Sequence, residues 1–500
     1  MRFIYKCNEK LPPLSWIAEM NSLDECIVVH GSKVECHKNF FVSGVWDGDF
    51  EKGDFDTALS FHGTGAVLKN SDSLIFVTPN HLQESIYSLS EEKRLILSNS
   101  IPFLLSYTDD TLDADYYGYE YDLNSIFFGS KRCVKKLKTK KTILNLHRYC
   151  NLVISSDLAF EEKEKSCEVP FSTFDEYKTH MMEILGRIIQ NASDEHRLTL
   201  YKLVTTISSG YDASAVSALV HEFGCNTALT FSSPEKYKED SGVRVAHYLG
   251  YERIIEGNGE AYRKNTDLWE AESAAGGDVG CLVPLNTFED VYKDSLLFLG
   301  LKGDSIFGKD EPEANRNFDF ISMSIAAEQN PEHYLRNNTI AISVPLILGY
   351  EWPSIYRISN SPEMKEFSVG GSYDRPIPRR IVEEKGVPRD AFGFKKKGAG
   401  FTFRFQPTLQ SVQTKMSQTS FESLVTFKKQ LKRNRAKFLS HIRKYYMANF
   451  PIYVNYAFRK LRIPFSIKSG SEYVSSPISS LLILWGMDVM IRRYKDAIEK

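Results

Sequence analysis

The eight cysteines of this 500-residue chain form no CxxC pair and no cysteine–histidine cluster. That argues against both a structural zinc site and a disulfide framework, and leaves reduced thiols as the simpler expectation. No apolar run is long enough to cross a bilayer: the longest late one, Ile478 to Ile491, falls short and contains Asp488. The opening residues, Met1-Arg2-Phe3-Ile4-Tyr5-Lys6, are too few and too polar for a signal peptide. A cytoplasmic protein without a membrane span is therefore expected. Excess charge is lacking too, since a formal net charge of -2 gives no global pull toward nucleic acid. Any basic surface has to be local.

What is present is the composition of a globular protein, 42% hydrophobic and 25% charged, at a length that holds two or three domains. From Met1 to about Ser156, short alternating apolar runs sit between Gly, Asn and Asp turns: Cys26 to His30, Ala66 to Leu68, Ser73 to Val77, Leu95 to Leu97 and Thr142 to Leu146. They predict an antiparallel β domain over 1–157. Thr173-Phe174-Asp175-Glu176 is a capping box, and Tyr177, Met181, Leu185 and Ile188 fall on one face of the helix it would open.

The stretch Lys202 to Gly224 organises the middle of the chain. Lys202 to Ile207 reads as a buried strand, Ala215, Val216, Leu219 and Val220 recur at helical spacing, and Gly224 suits a helix C-terminus. Between them lies Ser208-Ser209-Gly210-Tyr211-Asp212-Ala213-Ser214. Small residues there admit a ligand close to backbone N–H groups, and the helix N-terminus behind them favours an anion such as phosphate. An ordinary strand-to-helix turn would have the same composition. Ala228 to Phe231 as a strand, Asp240 to Leu249 as a helix and Glu252 to Ile255 as a strand continue a βαβαβ pattern, which predicts a parallel, doubly wound sheet with ligands at the strand C-terminal ends.

Three stretches carry a family resemblance. The turn at Ser208 to Ser214 resembles the PP-loop of ATP pyrophosphatases, Ser-Gly-Gly-x-Asp-Ser, with Ser209 at the second position and Ala213 where a serine is usual. Leu297 to Gly308 looks like the asparagine synthetase stretch Gly-Glu-Gly-Ser-Asp-Glu-x-Phe-Gly; Gly300, Asp304, Phe307 and Gly308 match without a gap, and Leu301 takes the first acidic position. Tyr373 to Glu384, followed by Lys395-Lys396-Lys397-Gly398, is similar to an arginine-bearing helix and a Lys-x-Gly turn in asparagine and β-lactam synthetases. Together they cover roughly Phe171 to Gly400 in the family's order, and the chain resembles the asparagine synthetase-like PP-loop ligases.

The resemblance implies an α/β protein: an N-terminal glutaminase-like domain, a PP-loop synthetase domain over 170–400, and a basic, mostly helical extension over 401–500. It implies an AMP-forming ligase that uses ATP and magnesium to adenylate a small-molecule or glycan carboxylate and passes it to ammonia or an amine. Ser208, Ser209, Gly210, Asp212 and Ser214 would meet the nucleotide phosphates, and Leu229, Thr230 and Phe231 the adenine. Asp212 and Asp304 would hold the metal, and Lys396, with Lys397 in reserve, would steady charge at the acyl centre. A glutaminase of this kind attacks with a cysteine at position 2, where this chain has Arg2; Cys7 is followed by Asn8-Glu9 rather than glycine. The nucleophile is thus missing, and the nitrogen is expected from another source.

Gly276-Gly277-Asp278 offers a further carboxylate, or a solvated turn. Between Lys395 and Lys468, seventeen Lys and Arg residues are opposed by Glu422 alone, with aromatic residues interleaved. Such a surface suits an anionic partner, whether glycan, nucleotide-linked substrate, RNA or membrane face, or else it balances the acidic remainder of the molecule. Two other function classes remain: a PP-loop RNA-modifying enzyme, and an ATP-binding scaffold that has lost catalysis, which would explain Ser209, Ala213 and Leu301 together.

Overall fold

Strict alternation of side chains along Trp16–Met20 places Trp16, Ala18 and Met20 on one face and Ile17 and Glu19 on the other, and this two-sidedness builds the N-terminal region. The computed structural model describes residues 1–500 apart from 70–72, 82–83, 92, 129–132, 156, 166–168, 233–239, 278–281, 310–329, 372, 394–407, 462, 464, 466, 468–473 and 500. A seven-stranded sheet runs in the order Arg2–Cys7, Glu25–His30, Trp16–Met20, Arg94–Ser98, Ile86–Glu91, Ile143–His147, Lys136–Lys138. A six-stranded sheet runs Phe160–Glu164, Cys150–Ile154, Ser73–Val77, Phe61–Lys69, Phe40–Trp46, Glu35–Cys36.

The two sheets share one core, in which Trp16 lies 5.1 Å from Phe41 and 6.0 Å from Phe76, ring to ring. The Trp16 indole N–H donates across the layers to Thr64 Oγ1 at 3.0 Å, so the polar end of this large side chain is satisfied inside the core. All five strands expected from alternation are present. The pairing departs from the expected antiparallel pattern at one edge, where Arg2–Cys7 runs parallel to Glu25–His30. The other side of Glu25–His30 is already taken by its hairpin partner Trp16–Met20.

Helix Phe174–Ala192 opens on the expected capping box and buries Tyr177, Met181, Leu185 and Ile188. Its last turn ties the two halves of the molecule together, since Asn191 Nδ2 donates to the carbonyl of Gly48 at 2.9 Å. A third sheet follows, wholly parallel, in the order Arg253–Gly257, Thr227–Phe231, Lys202–Thr206, Ser295–Leu299, Ile340–Ser343. Strand Ser295–Leu299 is buried on both faces, with Leu296 and Phe298 in one core and Leu297 and Leu299 in another, as expected of a sheet covered on both sides. The chain adds two strands on one side of Lys202–Thr206 and then crosses to the other. A ligand crevice is expected at that reversal.

The helix expected over Asp240 to Leu249 spans only Val243–Leu249. Residues ahead of it are held elsewhere: Ser241 forms a β-bridge with Ser208 in the turn after Lys202–Thr206, and the Gly242 N–H donates to Thr230 Oγ1 of strand Thr227–Phe231 at 2.8 Å.

The C-terminal region is helical, with Gln418–Gln430, Arg435–Lys460 and Pro477–Glu499 as its longest elements. The last of these is no peripheral extension. Its Phe103–Tyr494 ring stack at 4.8 Å and the Asn8 Nδ2 donation to Ala497 O at 2.9 Å fasten it to the outer face of the seven-stranded sheet. On its other side, a methyl added to Gly486 would stand 2.7 Å from Ala271 O, so this helix and Trp269–Ala275 pack backbone against backbone. Arg493 Nη1 donates to Glu272 Oε1 at 2.7 Å, and Arg336 and His333 reach the same carboxylate at 2.8 and 2.7 Å. Burial opposes the charge of Glu272, but these partners outweigh it and hold the group at about 2. Among the described residues no helix is long and apolar enough to cross a membrane; the run Ile478 to Ile491 is interior.

Candidate functional site

The crevice at the sheet reversal is a cleft of about 290 Å³. It gathers three stretches far apart in the chain: the turn after Lys202–Thr206, the end of Thr227–Phe231, and the turn after Ser295–Leu299. Ser208, Gly210 and Asp212 line it, as do Leu229, Thr230 and Phe231, and so does Asp304.

The turn is stiffened from within. Ser214, buried, donates its hydroxyl to Ser208 O at 2.7 Å and stands behind the cleft wall. Ser209 donates its N–H to Asp240 O at 3.0 Å and its hydroxyl to Asp240 Oδ1 at 3.3 Å, a use for a serine where the resembled motif has glycine. The Gly210 N–H donates to Ser208 Oγ at 3.1 Å. Helix Tyr211–His221 begins immediately afterwards, with Asp212 in its first turn.

The third stretch comes extremely close to this helix start. A methyl at Gly300 would lie 2.6 Å from Ala213 N, and one at Gly303 2.6 Å from Asp212 Oδ1. Only glycine permits that approach, which brings Asp304, the next residue, onto the same cleft as Asp212. Lys302 lies between them with φ +65, a left-handed backbone that in the ungapped register falls on a glycine of the resembled motif. Such a pose costs a non-glycine residue roughly 1 kcal/mol. Leu301, at the motif's first acidic position, joins the cleft wall as an apolar side chain.

Arg375 enters from a fourth segment. Nearly buried at 7% exposure, it pairs with Asp212 Oδ2 and lies 5.0 Å over the Tyr373 ring. Burial, and then the neighbouring Asp212 charge, push the Tyr373 phenol up to about 12, so it remains a protonated donor at neutral pH. Helix Pro376–Glu383 then supports the turn from below: Arg379 Nη2 donates to Tyr211 OH at 2.7 Å, and its guanidinium lies 5.0 Å from the same ring. Opposite, Phe231 and Phe288 stand 5.2 Å apart, and with Leu285 and Pro284 they make an apolar wall.

Lys396 and Lys397 lie outside the described residues, as does Asp278. Gly393 donates its N–H to Ser209 O at 2.8 Å. Sequence reasoning did not select Arg375, Tyr373, Asp240 or Lys302. Arg375 and Tyr373 stood within the arginine-bearing stretch, Lys302 within the second resembled stretch and Asp240 at the start of an expected helix, but nothing local singles any of them out. Cys7, at the end of the edge strand, is exposed.

Among the described residues no group of three or more His, Cys, Asp or Glu side chains converges to hold a metal ion. Two carboxylates sharing a cleft do suit magnesium, which takes one or two protein ligands and completes its shell with water and phosphate oxygens. No protein-family model matches the chain, and no curated protein matches it.

Proposed function

We propose that the protein is an ATP-dependent, AMP-forming carbon–nitrogen ligase of the asparagine synthetase type, working without a glutaminase nucleophile of its own. The observation that carries the reading is the meeting of Asp212, Asp304 and Arg375 in one cleft with the strand end Leu229-Thr230-Phe231. The apolar wall of Phe231, Leu285 and Phe288 suits a flat base, and the helix start at Tyr211–His221, with Lys302 and Arg375, suits a polyphosphate. Asp212 and Asp304 would hold magnesium, which offsets phosphate charge when bound.

In the reaction a carboxylate oxygen attacks the α-phosphorus and pyrophosphate leaves. An amine nitrogen then attacks the acyl carbon, the bond to AMP breaks, and the amine gives up a proton. Arg375, held against Asp212 and Tyr373, orients that carboxylate and steadies the anionic leaving groups. Lys396, which the resemblance puts at the acyl centre, belongs to the same proposal. Leu301 favours a second reading, a nucleotide-binding scaffold, because it leaves the cleft one carboxylate short of the resembled motif.

ATP labelled at the α-phosphate, incubated with magnesium, ammonium and a small-molecule extract of the source cell, tests the assignment. AMP and pyrophosphate are expected only with extract, and Asp212→Ala should lower their formation by about 100-fold or more. ADP as product would refute the assignment. ATP binding without turnover would select the scaffold.

A further inference from the structure

Helix Arg435–Lys460 runs 26 residues without burying a side chain among those described. Eight of the fourteen exposed large hydrophobic side chains among the described residues fall between Leu439 and Phe465. Single exposed apolar residues are ordinary, but such a concentration marks an interaction surface. Leu439, Tyr446, Met447 and Phe450 are spaced by seven, eight and eleven residues and so share one face, with Met447 66% and Phe450 59% exposed.

The helix carries Arg435, Lys437, Arg443, Lys444, Arg459 and Lys460 and no acidic residue. Its other side is fixed: His441 stacks on Tyr117 at 4.4 Å and meets Ser475 O at 3.1 Å, and the Asn434 N–H donates to Asp115 Oδ1 at 2.7 Å. The exposed face is therefore presented by an anchored element.

We propose that this face seats the protein on an anionic phospholipid surface, the aliphatic and aromatic side chains entering the headgroup layer and the cations meeting lipid phosphates. Charge complementarity selects the occupant. A second copy would bring six cations against six, and an RNA would gain nothing from Leu439, Met447, Leu461 or Ile463, which have no ring to stack on a base. Apolar side chains flanked by Lys and Arg on one helix are the pattern of an interfacial helix. This inference does not rest on the ligase assignment.

Cosedimentation of the full chain with phosphatidylcholine vesicles, with and without about 30 mol % phosphatidylglycerol, at about 0.1 M salt tests it. Binding is expected to the anionic vesicles alone. The combined variant R443Q/K444Q/R459Q/K460Q should weaken it by roughly 100-fold or more, and M447S/F450S by roughly tenfold, both with unchanged unfolding midpoints. Wild-type protein left in the supernatant with anionic vesicles would overturn the proposal. So would vesicle binding that M447S/F450S leaves untouched, since that is charge alone. Capture of a short RNA without vesicle binding would reassign the face to nucleic acid.

Discussion

Two neighbouring helices of similar length, Arg435–Lys460 and Pro477–Glu499, have opposite fates. The first holds its large apolar side chains in solvent, whereas the second hides Trp485, Met487 and Tyr494 almost completely. Hydrophobic residues alone do not account for this. The second helix has small residues where another backbone must come close, Gly486 against Ala271 above all, and its polar groups find partners inside: Trp485 donates to Ser423 Oγ at 3.0 Å and Tyr494 OH to Glu332 Oε2 at 2.9 Å. The first helix meets its neighbours through scattered half-buried contacts and keeps its cations in water. Burial follows when close approach and polar satisfaction coincide with the apolar stripe.

Substitution at matched places sharpens the contrast. Trp485→Ala should lower unfolding stability by about 4 kcal/mol, read as a shifted denaturant midpoint. A smaller change, Gly486→Val, should cost about 3 kcal/mol by forcing the two backbones apart, and a neutral result would refute the close packing.

Next comes a pH effect. Burial outweighs the hydrogen bonds from Ser100 and Tyr494 and raises Glu332 from its ordinary 4.5 to about 7. Its folded value lies above its unfolded one, so the stabilising contribution is complete below about 4.5 and is lost as pH rises through about 7. Glu84, raised by burial to about 7, adds to the same window. Glu332→Gln should therefore flatten the stability profile between those pH values by roughly 3 kcal/mol while Glu84 preserves part of the slope. An unchanged slope would mean that Glu332 does not titrate there. Smallest of all, Phe450→Ser on the exposed helix should move the midpoint by less than about 0.5 kcal/mol.

The difference between these helices also marks what the sequence could reveal. Period-two and period-3.6 patterns are local, and they located the capped helix at Phe174, the strands around Ser73 and Leu95, and the strand–turn–helix at Lys202 to His221 with the right faces inward. The cleft residues that belong to turns of small side chains were legible for the same reason. Arg375 was not, because its place in the cleft depends on an ion pair with Asp212 across 163 positions, and no spacing rule links them. Lys302 was hidden by its conformation, since a left-handed lysine looks like any other in one-letter code. The run Ile478 to Ile491 was legible as apolar, but the partners of the helix that contains it were not, since they come from residues near 8, 103, 271 and 332.

That last arrangement bears on how the chain is made. Synthesis proceeds from the N-terminus, yet the outer face of the first sheet is closed by residues 477–499. While the ribosome reads the intervening codons, the cluster around Leu89 and Ile96 has the short helices Ile101–Tyr107 and Tyr119–Asn124 but not the long one that completes it. A chain truncated before residue 477 would therefore expose part of this cluster, and such a product is expected to be prone to aggregation or proteolysis.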